Sequence, residues 1–287
     1  MNDYLLSVIL GIVEGLTEFL PVSSTAHLRI VEKLLRVDLG SPYWKMYTVV
    51  IQLGAILSVV VYFWSRLVAF AKSFRQEIAR GEPIANHPLT LVCVAFAVTA
   101  IPAFLLSKVI GKNLESLWVI GTALLVGGVV MWAVDAICTR PRILEMDRMG
   151  LPQAVWVGLI QILSAVFPGT SRSMSTIAAG QTAGMSRSAA LEFSFFLCIP
   201  TMFAATGYEL AKTVLKKGGP DHVVMTSHDW VVLGIGFVVS FFVAWGVIAW
   251  FMAWVRKHGF VPFAVYRIVV GIGVLVWVKY PEIFARR

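Results

Sequence analysis

A short stretch near the N-terminus carries the side chains best suited to chemistry. Residues 11–30 read GIVEGLTEFLPVSSTAHLRI and place two carboxylates, Glu14 and Glu18, a run of hydroxyls and His27 inside an otherwise apolar segment. Ionisable groups at membrane depth are costly, so they are read as functional by default. The two glutamates are one helical turn apart on one face. Since such close carboxylates cannot both ionise cheaply in a poorly hydrated site, we expect a divalent cation, Mg²⁺ or Ca²⁺, between them, or a proton on one of them. The alternative is a pair that only caps or solvates a wet helix end.

The hydroxyl run after Pro21 supplies candidate nucleophiles. Ser24 lies three residues before His27. Serine needs a neighbouring base, whereas histidine can act as a base, an acid or a nucleophile toward phosphorus. A Ser-Ser-Thr run is also typical of an ordinary helix N-cap. We expect Ser24 or His27 to attack or to activate water, with capping as the alternative.

A second polar interruption, PGTSRSMST at residues 168–176, has the composition of an anion site. Gly169 frees the backbone, and Arg172 offers a planar fork that matches phosphate oxygens. A helix that begins near Ser171 would add free N–H groups and a positive dipole end. The alternative is that Arg172 snorkels to lipid headgroups. Across both stretches, the residues expected to bind substrate are Ser23, Thr25, Gly169, Thr170, Ser171, Ser173 and Thr176.

The composition identifies an integral membrane protein. The chain is 58% hydrophobic and 14% charged, with a mean hydropathy of +0.81, whereas soluble domains carry roughly 25% charged residues. Apolar windows long enough to cross a bilayer as helices occur near 47–64, 89–106, 118–137, 189–208, 230–255 and 260–279. We therefore expect an all-α protein with six spans, and a basic loop between the first two. The net charge is +8, but the scattered Lys and Arg residues favour contact with lipid headgroups and argue against nucleic acid.

The chain also contains an internal repeat. Residues 11–30 align with residues 158–177 at a constant offset of 147 (158 minus 11). Identical residues at the polar interruptions support the alignment: Pro21 pairs with Pro168 and Ser24 with Ser171. The alignment also makes Gln161 the counterpart of Glu14, and Thr25 the counterpart of Arg172.

Each predicted half, residues 1–140 and 151–287, holds one broken segment and three spans. If the broken segment enters and leaves on one face, each half crosses an odd number of times and the second half is inverted. We expect an inverted-topology repeat with two re-entrant helical hairpins whose breaks face each other across a polar cavity. Gln52 and Glu192, which each open a span, are lower-ranked candidates for its wall, with packing or capping as the equal alternative. Lys and Arg are nearly balanced between the two sides, so the positive-inside rule does not set the orientation.

The sequence resembles the bacterial undecaprenyl pyrophosphate phosphatase family of the bacitracin-resistance type along essentially its whole length. The motifs that carry the resemblance are EGLTEFLPVSSTAHL (14–28), VIQLGAIL (50–57), PGTSRSMST (168–176), EFSFFLCIP (192–200) and PFAVYRIVVG (262–271). The resemblance implies an inner-membrane enzyme that removes the terminal phosphate of undecaprenyl diphosphate and so recycles the lipid carrier for cell-wall synthesis. It also implies bacitracin resistance, stimulation by a divalent cation and an active site that faces the periplasm.

The positions to which the resemblance assigns catalytic roles are Glu14, Glu18, Ser24, His27 and Arg172. Met174 stands where the family usually has glycine, so we expect the geometry around Thr176 to differ from the family pattern.

We therefore predict hydrolysis of a phosphoanhydride between two inverted loops. Glu14 and Glu18 are expected to hold the cation, and Arg172 to stabilise charge on the transferring phosphoryl group. The apolar tail of the lipid substrate is expected in a lateral groove among the spans. The main alternative is an inverted-repeat transporter or flippase for a phosphorylated lipid, which has no need of a serine and histidine pair. The sequence leaves a homodimer open.

Overall fold

The fold of the chain is all-helical, as predicted. A computed structural model describes residues 2–38, 41–106, 116–211 and 225–280, and in these ranges the sole β-type contact is an isolated bridge between Ile143 and Met185. The α-helices are α1 (Asp3–Thr17), α2 (Ser24–Leu34), α3 (Pro42–Tyr62), α4 (Trp64–Arg80), α5 (Pro88–Leu105), α6 (Leu117–Ile137), α7 (Leu151–Val166), α8 (Arg172–Thr182), α9 (Arg187–Leu210), α10 (Ser227–Val255) and α11 (Val261–Lys279), with a 3₁₀ turn at Met146–Arg148.

Six helices in the described ranges are long and apolar enough to cross a membrane: α3, α5, α6, α9, α10 and α11. This confirms the six predicted spans. The first span begins at Pro42, five residues before the predicted window that opens at 47, because the helix also takes in Tyr43, Trp44 and Lys45. Proline is favoured at the first helical position because its missing N–H costs nothing there.

The basic segment between the first two spans is a helix, so the prediction of a loop there was wrong. Helix α4 directly follows α3, and its Arg66 binds Asp147 at 2.9 Å and Glu192 at 3.0 Å. These ion pairs fasten α4 to the 3₁₀ turn and to the start of α9. Glu192, a lower-ranked candidate for the cavity wall, is therefore occupied in this ion pair.

Each half begins with two helices that are too short to count among the spans. Helices α1 and α2 have 15 and 11 residues, and helices α7 and α8 have 16 and 11 residues. In each pair a tight turn containing a proline joins the two helices. Each pair thus forms a helical hairpin, which we call hairpin 1 (residues 3–34) and hairpin 2 (residues 151–182).

The open ends of hairpin 1 lie beside the start of α10 and the end of α11. Asp3 at the start of α1 contacts His228 at 3.1 Å. Near the end of α2, the Lys33 ammonium lies 5.4 Å from the centre of the Trp277 ring. Since α10 and α11 are consecutive antiparallel spans, both contacts lie at the same end of the bundle.

The open ends of hairpin 2 lie at the opposite end of the bundle. The Trp156 indole near the start of α7 donates to the Thr182 hydroxyl at the end of α8, at 3.0 Å. Just beyond α8, Arg187 donates to Asp135 at 2.6 Å, and Asp135 also accepts from the N–H of Phe260 at 2.9 Å. These contacts join the end of α6 to the starts of α9 and α11, so the two hairpins point toward each other.

Glycines let each hairpin pack closely against a span of the other half. A Cβ at Gly11 of α1 would lie 2.8 Å from the carbonyl oxygen of Gly236 in α10, and a Cβ at Gly158 of α7 would lie 2.6 Å from that of Ala95 in α5. Because contacts this close leave no room for a side chain, the glycines determine how near each hairpin lies to its neighbouring span. At the tip of hairpin 1, Phe19 is fully buried and packs edge-on against Phe195 of α9 with ring centres 5.5 Å apart.

Candidate active site

The tips of the two hairpins have the same backbone turn. Ser23 has φ 75° and Ser171 has φ 72°, a left-handed conformation that is uncommon for residues other than glycine. Each serine caps the helix that follows, since Ser23 Oγ accepts from the N–H of Ala26 and Ser171 Oγ accepts from that of Met174, both at 3.3 Å. Backbone strain of this kind clusters at functional sites, so the two facing turns are the candidate site.

The matching turns correct the alignment of the repeat by one residue. Helix α2 begins at Ser24 and α8 at Arg172, so the offset beyond the turn is 148 (172 minus 24) and not 147. Hairpin 2 has one more residue between its proline and its capping serine. The structural counterpart of Arg172 is therefore Ser24, and the prediction that it is Thr25 was wrong.

A fully buried arginine from the last span holds both turns, and sequence reasoning missed its role. This residue is Arg267, and a basic side chain in a span commonly reaches a carboxylate or a lipid headgroup. Its guanidinium instead donates to main-chain carbonyls of both turns and of α6: Pro21 at 3.1 Å, Ala123 at 3.1 Å, Gly169 at 3.0 Å and Thr170 at 3.0 Å. The only signal in the sequence was a charged residue in an apolar span.

A cavity of about 240 Å³ lies where the two turns meet. At roughly 30 Å³ per water molecule, it has room for a small polar headgroup and not for a long lipid tail. Hairpin 1 contributes Glu18, Ser23, Ser24 and Thr25 to its wall, and hairpin 2 contributes Gln161, Ser164, Gly169, Ser171 and Arg172. Gln52, Thr99 and Thr201 come from α3, α5 and α9.

The central group of this cavity is the carboxylate of Glu18. It accepts from Ser24 Oγ at 2.5 Å through one oxygen and from Arg172 Nη2 at 3.0 Å through the other. Arg172 also donates to the carbonyl of Ser194 at 3.3 Å, so it is held inside the protein and does not snorkel to headgroups. A serine hydroxyl, a carboxylate that can take its proton, and an arginine that can bind anionic oxygens therefore share one cavity.

Glu14 lies one turn before Glu18 and is fully buried. Neither of its carboxylate oxygens accepts from an N–H or a hydroxyl donor among the described residues. Its charged neighbours are Glu18, whose carboxylate lies within hydrogen-bond reach, Arg172 and Glu32. Carboxylate oxygens without donors are what a hard cation such as Mg²⁺ needs. In the described ranges no group of three or more His, Cys, Asp and Glu side chains could hold a metal, so further ligands would come from substrate and water.

His27 does not line the cavity. Its Nδ1 lies 2.7 Å from the carbonyl oxygen of Ser23, and its Nε2 lies 2.7 Å from the hydroxyl of Tyr266, whose ring stacks on the imidazole. Because a carbonyl only accepts, Nδ1 carries a proton. Both ring nitrogens are thus engaged, and His27 braces the turn at Ser23. Sequence reasoning had no signal for Tyr266.

The predicted substrate-binding residues divide into two groups. Ser23, Thr25, Gly169 and Ser171 line the cavity. The others lie behind it: Thr170 gives its carbonyl to Arg267, Ser173 Oγ donates to the carbonyl of Leu20 at 2.9 Å, and Thr176 Oγ1 donates to Ser194 Oγ at 2.7 Å. Met174 is buried beside Gly127, so its bulk is accommodated away from the cavity wall.

Comparisons with known proteins identify the family of the chain. The family model of the bacitracin resistance protein BacA matches residues 7–273. The chain is 60% identical over 282 residues to the undecaprenyl-diphosphatase of Koribacter versatilis, a match that covers 96% of this chain and 99% of that protein. It is 41% identical over 274 residues to the undecaprenyl-diphosphatase of Rhizobium leguminosarum, covering 94% of this chain and 95% of the other. The same identity extends over 265 residues of the undecaprenyl-diphosphatase of Caldanaerobacter subterraneus, covering 92% of each.

Proposed function

Since the chain belongs to the bacitracin resistance protein BacA family, we propose that it hydrolyses undecaprenyl diphosphate to undecaprenyl phosphate and inorganic phosphate. The observation that carries this proposal is the contact of Glu18 with both Ser24 and Arg172 inside a polar cavity of a membrane protein. The relatives are named as undecaprenyl-diphosphatases, and nothing in the comparisons supports a transporter.

Two helix N-termini meet at the cavity and suit a diphosphate. Ser24 and Thr25 at the start of α2 and Arg172 at the start of α8 all line it. The first N–H groups of a helix have no partner within the helix, and the positive end of the helix dipole adds to their attraction for an anion. The capping serines each take one N–H group, which leaves others for phosphate oxygens. Each turn would receive one of the two phosphoryl groups.

Ser24 is the nucleophile that the geometry favours, because it lines the cavity and His27 does not. Its hydroxyl oxygen attacks the terminal phosphorus while Glu18, 2.5 Å away, takes the proton. The bond from that phosphorus to the bridging oxygen breaks, and the bridging oxygen keeps the electron pair as part of the lipid monophosphate. Arg172 stabilises the charge that builds on the transferring phosphoryl oxygens. Water then hydrolyses the phosphoserine.

A divalent cation would be held by Glu14 and Glu18. With substrate oxygens as its other ligands, the cation would neutralise part of the negative charge on the phosphate. The observation that supports this assignment is the lack of any hydrogen-bond donor to either oxygen of Glu14 among the described residues.

We also propose that residues 1–140 and 151–287 are inverted repeats and that hairpins 1 and 2 re-enter the membrane from opposite faces. The opposite placement of their open ends and the matching turns at Ser23 and Ser171 support this arrangement. The protein would then sit in the inner membrane with its cavity open to the periplasm. The undecaprenyl tail would leave the cavity laterally between spans and lie among exposed apolar side chains. Recycling of the carrier would confer resistance to bacitracin.

Phosphoenzyme trapping tests the proposal. The purified protein, in detergent and without any gradient, is mixed with substrate labelled at the terminal phosphate and quenched in acid. We expect phosphate release and a labelled protein whose label maps to Ser24. Ser24→Ala should lose both, whereas Ser58→Ala is a matched control, because the buried Ser58 hydroxyl only donates to the carbonyl of Ala55 in its own helix.

Two results would contradict the proposal in different ways. Absence of phosphate release from the intact protein would reject the hydrolase and favour the transporter. Full turnover by Ser24→Ala would reject the nucleophile and leave direct attack by water.

A further inference from the structure

Gln161 is a buried residue of the cavity wall that takes no part in the attack of Ser24 on phosphorus. It lies on α7, one helical turn before Ala165, and is 1% exposed. Its Nε2 donates to Thr99 Oγ1 at 3.0 Å and to Thr201 Oγ1 at 3.4 Å. The side chain is therefore tied to two neighbouring helices.

These contacts determine which way the Gln161 amide group points. The Thr99 hydroxyl donates to the backbone carbonyls of Ala95 and Gly158, and the Thr201 hydroxyl donates to the carbonyl of Leu197. Both threonine oxygens can then only accept from Gln161, so the amide nitrogen must face them. The amide oxygen is left facing away from them.

That oxygen has no partner. Gln161 Oε1 is buried and accepts no hydrogen bond from any described residue, yet the side chain lines the cavity. A buried acceptor without a donor is unfavourable by about 1–3 kcal/mol, so a small donor that enters the cavity beside Gln161 and reaches this oxygen would be stabilised. The oxygens of a phosphoserine, whose second pKa is about 6, are mostly unprotonated acceptors at neutral pH, whereas a water molecule is a donor that fits the cavity.

We propose that Gln161 holds the water molecule that completes phosphoryl transfer. The proposal rests on the proposed hydrolase function and names the residue that selects water as the final acceptor. The water oxygen forms a bond to phosphorus while the bond from phosphorus to Ser24 Oγ breaks, and Ser24 Oγ takes back the proton that Glu18 had accepted. Of the two water protons, one stays on inorganic phosphate and one passes to solvent. Gln161 fixes the orientation of the water and takes no proton.

Competition between water and methanol tests this role. The purified protein turns over lipid diphosphate in buffer with a fixed concentration of methanol, and both inorganic phosphate and methyl phosphate are measured. In the wild type, the bound water should react in preference to methanol, so inorganic phosphate should be the main product. In Gln161→Leu, kcat should fall roughly a hundredfold, as expected when a reactant is no longer positioned. The share of methyl phosphate and the steady-state phosphoenzyme should both rise.

The chain offers a matched control in Gln181. It is also on a short helix, is 2% exposed, and has an amide without a partner among the described residues, but it does not line the cavity. Gln181→Leu should keep the wild-type rate and product ratio. A second variant, Thr201→Val, keeps Gln161 but removes one of the acceptors that orient it, and should shift the product ratio in the same direction.

Each outcome is decisive. If Gln161→Leu turns over with the wild-type rate and product ratio, Gln161 does not hold the water. If that variant does not fold, an unchanged product ratio in Thr201→Val rejects the proposal instead. Failure of the wild type to release phosphate would reject the hydrolase itself, which is a different result from either.

Discussion

Replacing Glu18 by glutamine should separate binding from catalysis. Without substrate, the Glu18 carboxylate occupies Arg172 at 3.0 Å, and a phosphate must compete for the same guanidinium. Glutamine keeps the shape but removes the charge. The ion pair with Arg172 becomes a hydrogen bond to a neutral amide, and the attraction lost is about 1 kcal/mol on the scale of measured ion pairs. A phosphate then has to break a contact with Arg172 that is weaker by about 1 kcal/mol, so the phosphate should bind roughly fivefold more tightly.

The same substitution removes the group that takes the proton of Ser24. Loss of a general base lowers the rate by about 10²–10⁴-fold, so Glu18→Gln should bind more tightly and turn over more slowly. Binding is measured by calorimetry with inorganic diphosphate as a headgroup probe, in the presence of a chelator so that cation bridging does not contribute. Turnover is measured as phosphate release from the lipid substrate.

Glu32→Gln is the matched control for this experiment. Glu32 is 1% exposed and pairs with Arg29 at 3.0 Å, but it does not line the cavity. The control therefore loses a buried carboxylate beside an arginine and should leave both binding and turnover unchanged. Wild-type turnover by Glu18→Gln would refute the role of Glu18 as base, and weaker binding would refute its competition with phosphate.

Three further variants test other parts of the site. Glu14→Gln should raise the Mg²⁺ or Ca²⁺ concentration needed for half-maximal turnover, because the cation loses one carboxylate; an unchanged metal titration would argue against binding there. Gly127→Ala should lower stability by about 1–3 kcal/mol and slow turnover, because its Cβ would run into the Arg267 guanidinium. Thermal unfolding measures this effect, with Gly234→Ala as the control since nothing lies within 4 Å of a Cβ there. Tyr266→Phe removes the hydroxyl bonded to His27 and should change kcat less than tenfold; the loss of 10²-fold or more that is typical of a catalytic acid or base would place His27 in the chemistry.

Features with a local signature could be predicted from the sequence. The spans follow from runs of apolar residues, and the two turns follow from prolines and hydroxyls that interrupt such runs. Glu18, Ser24 and Arg172 could be named because their residue types are costly in a membrane, and the structure places them in contact.

Features that depend on distant contacts could not be predicted. Helix α4 looked like a loop because its ion-pair partners, Asp147 and Glu192, are far away in sequence. Thr99 and Thr201 are ordinary residues of apolar spans, and only the fold brings them to Gln161. The shift of one residue in the repeat was hidden because an alignment without gaps cannot show an extra residue in a turn.

The position of Arg267 in the chain constrains how the protein is made. Its guanidinium joins the tips of both hairpins, yet it belongs to α11, which is synthesised after both of them. A nascent chain that has inserted both hairpins still has turns whose carbonyls lack their donor. Since chains fold from the N-terminus during synthesis, the cavity stays unfinished until α11 enters the bilayer. Truncation before residue 267 should therefore give a membrane-inserted protein without a working site. Quality control in the cell would recognise this protein as an incompletely packed bundle.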